Sequence, residues 1–287
     1  MKAMKLFAAM SMLCLISFYS CEKEAVHEKA EDPVEESIDP SLITPEVSEF
    51  IESLDYNLKE ATIGTFHFPD GTTEQRYFLE GGDIAMTIEE YEELKKEDLR
   101  DIIDTRQYRT YNLVSTPQTI NVIGYTGGGG YGLSSRMRTA LQWAVNNYNA
   151  LNTGLTMTLT YGTNYNPYDI VVYRVPNGQV GGVAGFPSNG NPYKWVQIFS
   201  GMDNYSTNTN EHVITHEIGH CLGLRHTDWF SRQSCGQSGE PANPDGAVHI
   251  PGTPTGYDAN SVMLACFGAN EDGEFGFYDR VALEYLY

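Results

Sequence analysis

Eleven consecutive residues constrain this chain more than any others: His216-Glu217-Ile218-Gly219-His220-Cys221-Leu222-Gly223-Leu224-Arg225-His226. On a helix, His216 and His220 stand one turn apart on the same face, so their imidazoles can share one ion. Glu217 follows the first histidine, which brings its carboxylate to a water on that ion. Gly223 can take the left-handed conformation that ends a helix and turns the chain. His226 then returns as a third ligand. Three histidines leave a fourth tetrahedral position open, the arrangement of a catalytic rather than a structural zinc site. A fold that carries this run must therefore bury one helix and bring a following loop back under it.

The pattern around the run gives the rest of the architecture. Ile120–Tyr125 reads as a strand, and Ser134 or Ser135 caps a long helix with Met137, Leu141, Ala144, Tyr148 and Leu151 on one face. Leu155, Met157, Leu159 and Tyr161 alternate as in a half-buried strand. Ile170–Tyr173 and Trp195–Phe199 are short buried strands, and Val180–Phe186 is Gly-rich and extended. The active-site helix is expected to start at Asn210. Residues 233–260 show neither period, and Tyr278–Tyr287 reads as a terminal helix. Upstream, Thr44-Pro45 opens a short helix, Thr62–Phe68 and Gln75–Leu79 are strand-like, and Thr87 with Glu90 caps a helix to about Ile103.

The thirteen residues from His216 to Asp228, with Ile250-Pro251-Gly252-Thr253-Pro254 and Ser261-Val262-Met263, resemble the dual-action HEIGH metallopeptidases of bacteria, within the metzincin clan of zinc endopeptidases. The resemblance covers about residues 108–287. It implies an α+β fold: a twisted mixed sheet with a long backing helix, an active-site helix and a C-terminal helix; the pattern upstream adds a small acidic α+β domain before it. It implies a single catalytic Zn2+ on His216, His220 and His226, and peptide-bond hydrolysis by a zinc-activated water with Glu217 as general base. It also implies a methionine turn at Met263, a soft apolar floor under the histidines. Some metzincins place a Tyr two residues after that Met; this chain has Ala265 there. In metzincins an extended substrate pairs with an edge strand above the cleft, and Gly181–Phe186 is the candidate. Two other readings stay open. One is a catalytically inert surface binding protein on the same fold, and the other is a zinc hydrolase of non-peptide bonds.

Charge divides the chain. Residues 22–104 hold 25 acidic and seven basic residues, and residues 105–287 hold 13 and nine. The net charge of −20 argues against nucleic acid, whose phosphates need a basic surface. The expected divisions are a signal over 1–21, an acidic tether over 22–43, a pro- or stalk domain over 44–105 and the catalytic domain over 106–287. Lys2 and Lys5 precede an apolar run ending at Ser20-Cys21, which resembles a bacterial lipobox and implies lipidation of Cys21. The location expected is the bacterial envelope, with an outer-membrane lipoprotein touching the membrane only through its anchor, or otherwise secretion. A monomer acting on a protein or peptide is expected. The Gly/Asn/Asp-rich loops invite structural Ca2+, but no complete calcium loop supports it.

In an oxidising compartment Cys235 and Cys266 are the expected disulfide, since both fall in loop-like sequence and Cys221 sits in a helix pattern. Asp83, in the turn-like Gly81-Gly82-Asp83, is a candidate latency residue that would displace the zinc water. An ordinary turn role competes with it. His212 lies too far along its helix from His220 to share that ion. Asp228 is expected to support a ligand histidine or, more readily, to pair with Arg225.

Overall fold

The computed structural model describes residues 62–79, 81–87, 108–229, 231–236, 248–254 and 256–287. The readings at 1–21, at Cys21, in the tether and in the helices at Thr44 and after Thr87 lie outside these residues.

The chain folds as α+β. A three-stranded antiparallel sheet comes first: β1 (Thr62–His67), β2 (Thr73–Leu79) and β3 (Ile84–Met86). Asp70 and Gly71 make the first turn, where the Asp70 carboxylate accepts from Thr72 N at 2.9 Å and Gly71 has φ +85°. Next come β4 (Tyr108–Arg109), β5 (Gln118–Tyr125), α1 (Ser135–Asn149), β6 (Leu155–Gly162), β7 (Ile170–Val175), β8 (Gly182–Val183) and β9 (Trp195–Phe199). A 3-10 turn, α2 (Thr207–Cys221), a second 3-10 turn at Gln233–Cys235, β10 (Val248–His249) and α3 (Phe277–Leu286) complete the order.

The main sheet runs β6-β5-β7-β9-β8. The first four strands are mutually parallel, and β8 closes the edge antiparallel to β9. Helix α1 backs the sheet through Met137, Ala140, Leu141, Ala144, Val145 and Tyr148, all buried at helical spacing. Its N-cap is Ser134, whose hydroxyl accepts from Met137 N at 3.3 Å. Helix α2 lies against α1, and the Tyr148 hydroxyl donates to Thr215 O at 2.8 Å. One core joins both helices, the sheet and the last helix.

Three readings need correction. Helix α2 starts at Thr207, not Asn210, because the Ser206 hydroxyl caps it by accepting from Thr209 N at 3.0 Å. Strand β8 keeps only two residues of the expected Val180–Phe186, since Gly181 turns the chain at φ +105°. The region 233–260 carries a 3-10 turn, and β10 there pairs antiparallel with β4.

The first sheet docks on the second through specific contacts. Tyr173 Oη donates to His67 O at 2.6 Å, and Gln197 Nε2 donates to the same oxygen at 3.0 Å. The buried Arg76 guanidinium lies 4.0 Å from the centre of the Phe66 ring and donates to the Tyr193 hydroxyl. All described residues belong to one compact unit.

Candidate active site

Helix α2 is buried on almost every side from Thr209 to Cys221. That is why its polar residues must find partners. His216 Nδ1 donates to Val262 O at 2.8 Å, and His220 Nδ1 donates to Leu224 O at 2.7 Å. A carbonyl only accepts, so both rings carry their proton on Nδ1 and turn a bare Nε2 inward. Gly223, at φ +103°, turns the chain, and its carbonyl accepts from Thr110 N at 2.8 Å. His226 returns beneath the helix. The Nε2 atoms of His216 and His220 are 3.0 Å apart, and those of His216 and His226 are 3.2 Å apart.

Such crowding of bare lone pairs is unfavourable without a cation at their focus. Ligands about 2.0–2.1 Å from a tetrahedral ion stand about 3.3 Å from one another, so the three rings fit one zinc-sized ion. The fourth donor is Asp83. Its Oδ2 lies 3.0 Å from His216 Nε2, 3.1 Å from His220 Nε2 and 2.7 Å from His226 Nε2. Among the described residues these four are the group able to hold a metal.

Glu217 is buried beside them and interacts with Asp83. Burial opposes ionisation of Asp83, but whenever the surrounding imidazoles carry an extra proton, His216 first, they hold its carboxyl well below the usual carboxylate range. Glu217 is pushed well above that range, first by burial and then by the charge and hydrogen bond of Asp83. Two adjacent carboxylates thus sit at opposite ends of their scale.

The backbone around the site is equally specific. A Cβ on Gly182 would lie 2.7 Å from Glu217 Oε1, so β8 passes directly over the glutamate as bare backbone. Ala184, just past β8, accepts from Ala85 N at 2.8 Å, and Ala184 N donates to Asp83 O at 3.1 Å. Residues 83–85 therefore pair in parallel with the outer side of the edge segment. Met263 packs against α2, where a Cβ on Gly219 would meet its Sδ at 2.5 Å.

These observations select one family. A profile described as dual-action HEIGH metallo-peptidase matches residues 79–287, nearly three quarters of the chain. The chain belongs to that family. This HEIGH metallo-peptidase is also similar to two solved structures, titled "Structure of Myroilysin" and "Crystal structure of myroilysin". The first is 13% identical with a TM-score of 0.37, covering 58% of this chain and 78% of that one. The second is 14% identical with a TM-score of 0.39, covering 61% and 86%. No curated protein matches the chain. Membership makes the molecule a metallopeptidase with a peptide or protein substrate.

One residue supporting the HEIGH metallo-peptidase site, Asp279, was not visible from spacing. Asp279 on α3 accepts from Ser261 Oγ at 2.7 Å and from Val262 N at 2.9 Å, and so fixes the carbonyl that holds His216. A single Asp in an amphipathic terminal helix gives no sequence signal of this. Asp228 accepts from Ala265 N at 3.0 Å and from Ser234 N at 2.8 Å, tying two loops beside the methionine. Cys235 and Cys266 are bonded, with Cα atoms 5.1 Å apart, and Cys221 is a buried free thiol at the end of α2. His212 Nδ1 donates to Asp272 O at 2.8 Å, outside the four-donor group.

Proposed function

We propose that this chain is a secreted, lipid-anchored zinc endopeptidase of the metzincin type, held latent by Asp83. The observation that carries the reading is the meeting of three imidazole Nε2 atoms beside a buried glutamate, at the edge of a sheet. His216, His220 and His226 would hold the zinc, which when bound polarises a carbonyl and acidifies water.

The chain's own groups do the remaining work. Glu217 takes a proton from the attacking water on a carboxylate oxygen and returns it to the leaving amide nitrogen. The raised affinity of Glu217 for protons suits that return. An extended substrate pairs with Gly182–Gly185 by strand addition, and the bare backbone at Gly182 brings it close to Glu217. Met263 gives His216 and His220 a packed floor, and Asp279 keeps the His216 ring in its tautomer through Val262.

Asp83 opposes all of this. Its carboxylate stands where the water would be, and residues 83–85 take hydrogen bonds at Ala184 that a substrate strand needs. Lipidation of Cys21 would hold the acidic N-terminal part at an envelope membrane. That reading rests on the Ser20-Cys21 sequence after its apolar run.

The test is cleavage of a diverse peptide library, read by mass spectrometry, by residues 22–287 and by that chain with Asp83→Ala. Each is run with and without Glu217→Ala and with and without a chelator. Activity released by Asp83→Ala, lost on chelation and lowered about a thousandfold by Glu217→Ala, is the expected result. Cleavage that survives Glu217→Ala sinks the mechanism. Full activity with Asp83 intact sinks the latency. Bound zinc with no peptide cleaved by any form favours the non-peptide hydrolase.

A further inference from the structure

Beside the four-donor group lies a second feature that the hydrolytic mechanism does not use. A cavity of about 480 Å³ opens between the N-terminal half of α2 and the segment that follows Met263. Its lining includes His212, Val262, Phe267, Glu271, Asp272 and Glu274. It adjoins the reaction centre from two directions. The His212 and His216 rings are near-parallel with centroids 6.5 Å apart, and Val262, in its wall, holds His216 by its carbonyl. The cavity is therefore one ring and one loop removed from the histidine cluster.

The chemistry of the lining is one-sided. Three carboxylates, Glu271, Asp272 and Glu274, are exposed around it, and no Lys or Arg lines it. His212 is only 5% exposed, and its Nδ1 is committed to Asp272 O, which leaves Nε2 as a lone-pair acceptor. That Nε2 has no partner among the described residues. A buried acceptor without a donor is costly, and it marks where a donor belongs. The nearby Glu211 carboxyl is pushed up to about 7, first by burial and then by the charges of Glu274 and Asp272.

We propose that this cavity is the specificity pocket of the peptidase and that it selects substrates with a lysine or arginine side chain beside the cleaved bond. The inference rests on the peptidase reading of the adjoining site. The cationic head meets Glu271, Asp272 and Glu274, and one of its N–H groups donates toward His212. The methylene stem lies along Phe267 and Val262. The net charge of −20 favours the approach of cationic peptides to the molecule as a whole.

Two readouts keep this apart from the reading it rests on. In the first, the chain with Asp83→Ala is given the peptide library, and Lys and Arg are expected to be enriched at least tenfold at one position relative to the cleaved bond. Adding Glu271→Gln, Asp272→Asn and Glu274→Gln together should lower the ratio of kcat/KM for a basic peptide over its norleucine counterpart by at least tenfold. Enrichment of apolar or acidic residues, or a basic preference untouched by the triple change, overturns the proposal. The second readout needs no activity. Agmatine, a free guanidinium on a four-carbon stem, is titrated into the unaltered chain while imidazole nitrogen signals are followed by NMR. A saturable shift at His212, weakened at least tenfold by the triple change, supports the pocket even if no peptide is ever cleaved. No shift at His212 overturns it even if peptides are cleaved.

Discussion

Gly223 shows how much of the site hangs on single backbone positions. Its φ of +103° is one that side chains disfavour, and a Cβ there would lie 2.9 Å from Asn112 O. Gly223→Ala should cost about 2–3 kcal/mol, since strain and a backbone clash both oppose it. Urea denaturation measures this, and an unchanged midpoint would refute the account. Asp279 acts one step further out. Asp279→Ala should leave Val262 N unpaired and weaken zinc binding about tenfold, as read by competition with a chromophoric chelator. The histidines, Glu217 and Gly223 could be singled out in the sequence because their spacing is short and follows from helix geometry, whereas Met263 was named only through the family resemblance. Asp83 could be named as a candidate latency residue, but an ordinary turn role competed with it on sequence alone. Its partners lie 133 to 143 residues away, and no local pattern reports such a meeting.

At the scale of elements, legibility followed self-sufficiency. Helix α1 and strand β9 carry their own periodicity and run where it says they should. Strand β3 was invisible, because three residues make a strand only by pairing with β2 on one side and Ala184 on the other. The start of α2 was misplaced because Ser206 and Thr207 look like loop residues until the cap is seen. Helix α2 also carries a titration that stability should report. Burial, then Glu274 and Asp272, raise the Glu211 carboxyl from about 4.5 to about 7. The folded state therefore holds its proton more tightly than the unfolded state does. Stability from this group is complete below about pH 4.5 and is lost as pH rises through about 7. Glu211→Gln should flatten the fall in melting temperature between those values. A profile with the same slope in both proteins would exclude Glu211 as its source.

Across the whole molecule, one covalent link closes the loop side of the site. Cys235 and Cys266 are separated by 31 residues, a loop whose closure entropy is worth about 3–4 kcal/mol. Cys235→Ser with Cys266→Ser should lower the free energy of unfolding by about that amount in urea. A change below about 1 kcal/mol would mean the loop is held without the bond. The overall arrangement of sheet, backing helix and active-site helix was legible because hydrophobic period and one long motif agree. How the first sheet sits on the second was not, because that depends on scattered polar contacts such as Tyr173 with His67 and Arg76 with Tyr193.

The position of Asp83 along the chain also sets an order of events. A ribosome releases the strand that carries it long before His216, His220 and His226 exist as residues. By the time the three imidazoles can gather, the carboxylate that meets them is already made and tethered to them, at the high effective concentration of a covalent neighbour. At no stage of its synthesis does the molecule hold a finished set of histidines without Asp83 on the same chain.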